Sequence, residues 1–353
     1  MRECFLILLL FGIALAQRNC FSQTNYLSDK QFRFDFLSVE HLPAADVSVL
    51  VLKHPTICDS AAFSPDGKKI VSACRDGIAR IWDIESGKML QTIAAHKLGV
   101  RSVAFSQDGK KIVTVGGDDF ARTWDAESGR LLKEFEGHTG SLLSVAISPD
   151  DKKIVTTSWD KTIRVWDAES GKVLQILEHK DRGMIIVFGS LIRTFRVVPY
   201  EIMSASFTPD GKRIVTTGRD RSIKLWDADT GLELKKFKQI DDIQSAACSP
   251  DGKKIVTISF IARILDAESG KELQKFAEHT STVSSAAFSP DGKKLVTASW
   301  DKTARVYDAE SGRVLRILEG HKNEVMSAAF SPDGKKVVTA SKDDTVRIWT
   351  LEP

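Results

Sequence analysis

The sequence predicts an all-β protein, a seven-bladed β-propeller whose blades are four-stranded antiparallel sheets. Three observations carry this. Trp82-Asp83, Trp124-Asp125 and Trp166-Asp167 recur 42 residues apart. Each interval between them holds four short runs of β-type residues separated by turn residues. No segment of the repeats sustains an apolar period of about 3.6 residues, so no helix of consequence is expected. A period of about 40–45 residues with four strands per unit is what a propeller blade requires.

The count of blades follows from the same pairs. Trp226-Asp227 comes 60 residues after Trp166, Leu265-Asp266 a further 39 on, and Tyr307-Asp308 and Trp349-Thr350 return to steps of 42. The unit from His279 shows the grammar of all seven. Thr282 to Phe288 alternates small and apolar residues and reads as a first strand. Ser289-Pro290-Asp291-Gly292 turns, because Pro presets its φ and Gly accepts the left-handed conformation. Lys294 to Ser299 is the second strand, Trp300-Asp301-Lys302 a turn, Thr303 to Tyr307 the third strand, Asp308 to Gly312 a turn and Val314 to Leu318 the fourth strand. The Ser-Pro-Asp-Gly turn recurs at Ser64, Ser249 and Ser331, with variants from Ser106, Ser148 and Thr208.

The period, the Trp-Asp endings and these turns resemble the WD-repeat (G-beta-like) family over residues 45–353. The resemblance implies a rigid propeller that works as a binding platform. It also implies a buried hydrogen-bond network of His138, Ser158, Asp160 and Trp166 in the third unit, matched by His321, Ser341, Asp343 and Trp349 in the last. His279, Ser299 and Asp301 match in the sixth, with Tyr307 in place of Trp. Ser, His and Asp together also fit a hydrolase triad. A device repeated from blade to blade is structural, however, and satisfies polar groups inside the sheet. Cys74, Gly116 and Gly218 stand at the Ser position of other units. The fifth unit departs most: it reads Ser259-Phe260-Ile261-Ala262, two residues short at the turn, with Leu265 at the Trp place and no His. It is expected to be the loosest blade.

The last unit lacks a fourth strand of its own. Val47 to Lys53 is a β-type run that precedes His54 as Val314 to Gly320 precedes His321. It is expected to supply the outer strand of the last blade and so close the ring. Burial of three or four of its aliphatic side chains would contribute roughly 5–10 kcal/mol.

The N-terminus reads differently. Arg2 precedes an apolar run from Phe5 to Ala16 that ends Ala14-Leu15-Ala16, the pattern of a secretory signal peptide cleaved after Ala16. The run is shorter than the roughly 20 residues a transmembrane helix needs, so no span is expected. The division expected is a signal at 1–16, a weakly ordered leader at 17–44 and the propeller at 45–353, with an apolar loop insertion at about 180–200. The expected location is therefore secreted or periplasmic if the signal operates, and cytoplasmic otherwise. The insertion carries the excess of 18 residues in the 60-residue step and reads Met184 to Phe188, Leu191-Ile192, Arg193 and Arg196. It is either a docking element or a loop folded onto the ring. Cys58, Cys74 and Cys248 fall at apolar or small positions in the blades and read as buried thiols. Cys58 and Cys74 lie on neighbouring strands of one hairpin, where an oxidising compartment permits a cross-strand disulfide.

Composition narrows the function. The 50 basic and 47 acidic residues leave a net charge of +3 and no electrostatic footprint for nucleic acid. No glycine-rich phosphate loop, HExxH or paired metal-ligand spacing appears. Neither cofactor nor metal is expected, and no catalytic residue is assigned. The resemblance implies that partners bind the face carrying the loops before the first strand and after the second. Just before the turn Asp on that face stand Arg75, Gly117, Trp159, Arg219, Trp300 and Lys342. Trp159 and Trp300 lie outside the repeated Trp position, so the core does not demand them, and Trp and Arg are favoured interface anchors. Arg101, Leu143 and Met203 lie near the same entrance. The reading is a non-catalytic scaffold, a monomeric ring, for protein or peptide partners, exported if the signal operates. An intracellular adaptor in a signalling or regulatory complex is the alternative. A propeller hydrolase is remote, because no cluster of carboxylates is unique to one or two blades.

Overall fold

The structure, a computed structural model, describes residues 49–179 and 201–351, together with the backbone of the strands Arg182–Phe188 and Arg193–Pro199. The expected signal and leader, Val47 and Ser48, and the remainder of the 180–200 insertion lie outside the described residues. The chain is all-β. Seven four-stranded antiparallel sheets follow one another, each ordered first to fourth strand from one edge to the other. No helix among the described residues is long and apolar enough to cross a membrane.

The first strands are Cys58–Phe63, Val100–Phe105, Leu142–Ile147, Ile202–Phe207, Ser245–Cys248, Val283–Phe288 and Val325–Phe330. Each touches the first strand of the next blade, and the seventh touches the first, so these strands line the axis of a ring. The second strands are almost wholly buried, as in Lys153–Ser158. The fourth strands, such as Val173–Glu178, are mostly exposed and form the rim. The core is therefore not one mass but a series of layers between blades. Val155, Ile163, Val165 and Leu177 of the third blade meet Ile202, Ala205, Ile214 and Trp226 of the fourth in one of them. Two facing sheets bury both apolar surfaces, which no blade achieves alone.

The turns between first and second strands fix the register. In Ser289-Pro290-Asp291-Gly292, Ser289 Oγ donates to Asp291 at 2.5 Å and accepts from Lys294 N at 2.8 Å, while Gly292 adopts φ +70°. The third blade has Asp151 where the others have Gly, at φ 59°. Asp is among the few side chains that tolerate this region. Its carboxylate accepts from Gln107 N at 2.7 Å and Asp108 N at 3.0 Å of the second blade, so the exchange ties two turns together.

Val49–Lys53 pairs antiparallel with Thr345–Thr350, in register from Val49 opposite Trp349 to Lys53 opposite Thr345. The last sheet thus takes its outer strand from the start of the propeller and its other three from the end. The apolar contribution is smaller than the sequence leads one to expect. Leu52 is buried and Leu50 half-buried, but Val49 and Val51 are 37% and 40% exposed. In an outer strand one face meets the neighbouring blade and the other meets water, so only alternate residues can be buried.

The fifth blade is complete, as seven four-stranded blades require, with four strands from Ser245–Cys248 to Glu272–Phe276. Its shortened turn is replaced by an arginine hub: Arg263 reaches Asp241 at 2.7 Å, Glu272 at 3.2 Å and Ser259 Oγ at 3.0 Å. The insertion is not a loop. Arg182–Phe188 and Arg193–Pro199 pair as a separate two-stranded antiparallel sheet, with Arg182 opposite Pro199 and Phe188 opposite Arg193. Its β-branched and aromatic content explains the strands. Finally, Cys58 and Cys74 are not thiols. They stand directly opposite each other and form a disulfide. Closing a loop of that 16-residue separation stabilises a fold by about 3 kcal/mol in the chain-entropy account. Cys248 remains a thiol, which burial pushes up to about 12, so it is unreactive at neutral pH.

Candidate functional site

The network inside the blades brings His, Asp and hydroxyl side chains together in the manner of a catalytic triad. In the third blade Asp160 accepts from His138 Nδ1 at 2.6 Å. His138 Nε2 then accepts from Thr156 Oγ1 at 2.8 Å, and Thr156 Oγ1 accepts from Trp166 Nε1 at 2.8 Å. The hydroxyl at the node is thus Thr156, not Ser158 as the resemblance was read. Ser158 instead donates to the Gly140 carbonyl at 2.6 Å and accepts from Asp160 N at 3.0 Å. Ser341 and Ser299 behave likewise, and Thr339 and Thr297 hold the nodes of their blades. Thr156 and Ser158 share a face of one strand. Thr156 sits diagonally opposite the indole, while Ser158 lies one pair further along at the loop.

This correction completes the blades that seemed deficient. Ser72, Thr114 and Thr216 supply nodes to the blades with Cys74, Gly116 and Gly218, each joining a His to a Trp indole. Ser158 and Ser341 are fully buried, and His138 and His321 nearly so. The network lies inside the six sheets that carry its His and holds their loops.

The carboxylates respond as expected of paired groups. Burial pushes Asp343 up, but hydrogen bonds from Thr345, Lys322 N and His321 outweigh it and bring the group to about 2. Asp160 and Asp301 are held below the usual carboxylate range by His138 and His279, again against burial. The first blade differs. His54 Nδ1 donates to the Leu52 carbonyl of the closing strand at 3.1 Å, and Asp76 is engaged by Arg80. With no carboxylate on its ring, burial lowers His54 to about 4, against the raising effect of Leu52.

Unfolded His54 takes up a proton near its ordinary 6.5, and the folded ring does so only near 4. Stability is intact above the first value and falls through the interval below it, by about 3 kcal/mol at the acid end. Urea midpoints of wild type and His54→Gln at pH 7.5 and 4.5 should therefore differ in their pH dependence, with wild type the steeper. Parallel slopes would refute the assignment.

The candidate interface lies on the face that carries the turns after the second strands and the loops before the first. Trp159 is 54% exposed and Trp300 42%, with neither in the core. Phe260 of the fifth blade is 68% exposed and stands at the register of the two tryptophans; the sequence reading passed over it because of the shortened turn. Leu98 and Ile240, on loops before first strands, are also exposed. No repeat signal marks them.

The structure sorts the charged candidates. Arg75 is paired to Asp59 at 2.9 Å, Arg219 to Glu201 at 3.0 Å and Lys342 to Glu324 at 3.4 Å. Lys342 also lies over the Trp300 ring at 5.2 Å, and Arg101 over the Trp159 ring at 5.2 Å. Gly117 offers no side chain, and a Cβ there would fall 2.7 Å from the Leu98 carbonyl oxygen.

Arg101, Leu143 and Met203 share a further feature. Each is the extra residue of a β-bulge at the head of its first strand, as are Asp59, Ser284 and Met326. A bulge re-aims the side chain it carries. The axial entrance is thus collared by residues that differ from blade to blade, while the blades themselves repeat. Of these bulge residues only Asp59 bears a carboxylate, and it is engaged by Arg75, so they offer no carboxylate pair for glycoside chemistry. Metal-ligand atoms of His54, Cys58 and Cys74 lie within 4.8 Å of one another. The two sulfurs are bonded together and the His54 ring nitrogens are occupied by Leu52 and Ser72, so this set is not a metal centre.

Comparison with known proteins agrees with this geometry. The family described as WD domain, G-beta repeat matches residues 47–83, 87–125, 129–167, 189–227, 270–308 and 312–350. The first three strands of the fifth blade fall in the interval between two of these matches, consistent with its missing His, Asp and Trp, while its fourth strand Glu272–Phe276 lies within the match that follows. The chain is 48% identical over 42 residues to the WD40 repeat protein poxJ of Penicillium oxalicum, and equally so to that of its strain 114-2. The match covers 12% of each chain, a single repeat's length.

Proposed function

This chain belongs to the WD-repeat family, and from that premise we propose that it is a non-catalytic scaffold binding protein or peptide partners through the loop face of the ring. One observation carries the reading. Trp159, Phe260 and Trp300 are large, exposed and unused by the core, and all three occupy the same turn of their blades. Exposed aromatics of this kind anchor interfaces. Lys342 and Arg101 lie over two of them and hold the indoles at the surface.

Affinity capture with the wild-type chain and with a Trp159→Ala/Trp300→Ala double variant tests the surface. Bound partners are expected to be lost or strongly depleted with the double variant at an unchanged melting temperature. An unaltered captured set removes this face from consideration. Export belongs to the same proposal. The signal-like run at 1–16 and the Cys58–Cys74 disulfide both suit an oxidising compartment. The N-terminal residue of the purified native chain decides it: Gln17 supports export, and Met1 opposes it.

A further inference from the structure

We infer that the loop face recognises an acidic, otherwise apolar peptide segment, with Arg101 as the residue that pairs with its carboxylate. The inference rests on the scaffold reading and names the chemistry of its partner. Four cations were singled out at this face from the sequence. Arg75, Arg219 and Lys342 each have a carboxylate of this chain beside them. Arg101 has none among the described residues; its guanidinium lies over the Trp159 ring instead.

That arrangement suits a ligand more than a fold. A guanidinium stacked on an indole keeps its N–H edges open, and those edges match a carboxylate bidentately. The indole shields one face from water, which strengthens any ion pair made at the edge. The Arg101 side chain makes no hydrogen bond among the described residues, and the bulge at the head of its strand directs it apart from the ladder. The next two bulge residues around the entrance are Leu143 and Met203. Leu98 is exposed before the same strand. Trp159 N donates to the Ser141 carbonyl and Ser141 Oγ to the Gly117 carbonyl, each at 3.0 Å, so the second and third blades are tied together where the pair sits. A preformed cation among apolar side chains fits a segment that alternates acidic and aliphatic residues.

The test uses the full chain and short labelled peptides in which Leu alternates with Glu, with Gln or with Lys, followed by fluorescence anisotropy. The Glu peptide is expected to bind wild type at least about tenfold more tightly than the Gln peptide, the scale of one charge-assisted hydrogen-bond pair, and the Lys peptide more weakly still. Arg101→Gln should abolish the preference for Glu over Gln, while Arg101→Lys retains part of it. Both variants should melt within a few degrees of wild type, since the Arg101 side chain makes no hydrogen bond or ion pair among the described residues and its contact is to an exposed indole. Equal binding of the Glu and Gln peptides, an unchanged preference in Arg101→Gln, or no binding of the Glu peptide overturns the inference. Captured partners that depend on Trp159 and Trp300 but are indifferent to Arg101→Gln overturn it while leaving the scaffold reading intact.

Discussion

Deleting residues 45–53 is expected to cost about 5 kcal/mol or more and to yield an aggregation-prone chain. Three losses add together. Leu52 is 2% exposed, and its removal alone is a large-to-small core change of about 2–5 kcal/mol. It belongs to the cluster formed by Val338, Ala340, Val346 and Ile348 with Cys58 and Ile70, so the void opens at the junction of the last blade and the first. His54 loses the Leu52 carbonyl that accepts from its ring. Thr345–Thr350 becomes an open edge of six residues, a template for pairing with other chains. A loss of this size is a large share of the roughly 5–15 kcal/mol that separates most folded domains from unfolded chain. The melting temperature should fall by about 10 °C or more if the protein stays soluble at all. Leu52→Ala provides the graded control, and Val51→Ala, on the exposed face, should be nearly silent. A soluble monomer that melts with wild type after the deletion would show that the ring does not depend on its closing strand.

What the sequence made legible here has a physical boundary. Repeats of 42 residues, turn residues at fixed offsets and a β-type run before His54 are one-dimensional patterns, and each maps directly onto a blade, a turn and a closing strand. The errors arose where two alternatives share a pattern. Thr156 and Ser158 are two residues apart on one strand, so alternation puts both on the same face. Only their positions relative to the Trp166 indole, across the third strand, separate them. Val49 and Val51 look as apolar as Leu50 and Leu52, but an outer strand buries one parity alone. Phe260 was hidden by two residues missing from its turn. The insertion has strand composition, yet nothing in its sequence names the register that pairs Met184 with Val197. At the candidate interface, sequence position puts Arg75, Arg219 and Lys342 before the turn Asp and Arg101 only near the same entrance, and it does not say which of them is paired. The difference between them lies in Asp59, Glu201 and Glu324, which reach Arg75, Arg219 and Lys342 from other segments.

Replacing Thr156 by Val should destabilise the protein by about 2–4 kcal/mol, whereas Ser158→Ala should cost about 1. Valine keeps the shape of Thr156 and removes only its hydroxyl, so no cavity confuses the result. Two groups then lose their partner together. The Trp166 N–H is left without an acceptor in a side chain that is 0% exposed, and His138 Nε2 without a donor. A buried group without a hydrogen bond costs the full penalty of its desolvation. Ser158→Ala removes a bond to Gly140 and one from Asp160 N, but Asp160 still holds His138 and Thr162. The sixth blade supplies the internal comparison. Tyr307 stands there in place of Trp, and Thr297 takes His279 at 2.6 Å with no indole to accept from. Thr297→Val should therefore cost less than Thr156→Val, because one donor fewer is stranded. Urea unfolding of the three variants beside wild type measures this order. If Ser158→Ala proves as damaging as Thr156→Val, the node has been placed on the wrong hydroxyl; if Thr297→Val equals Thr156→Val, the indole bond contributes nothing and the histidine carries the network alone.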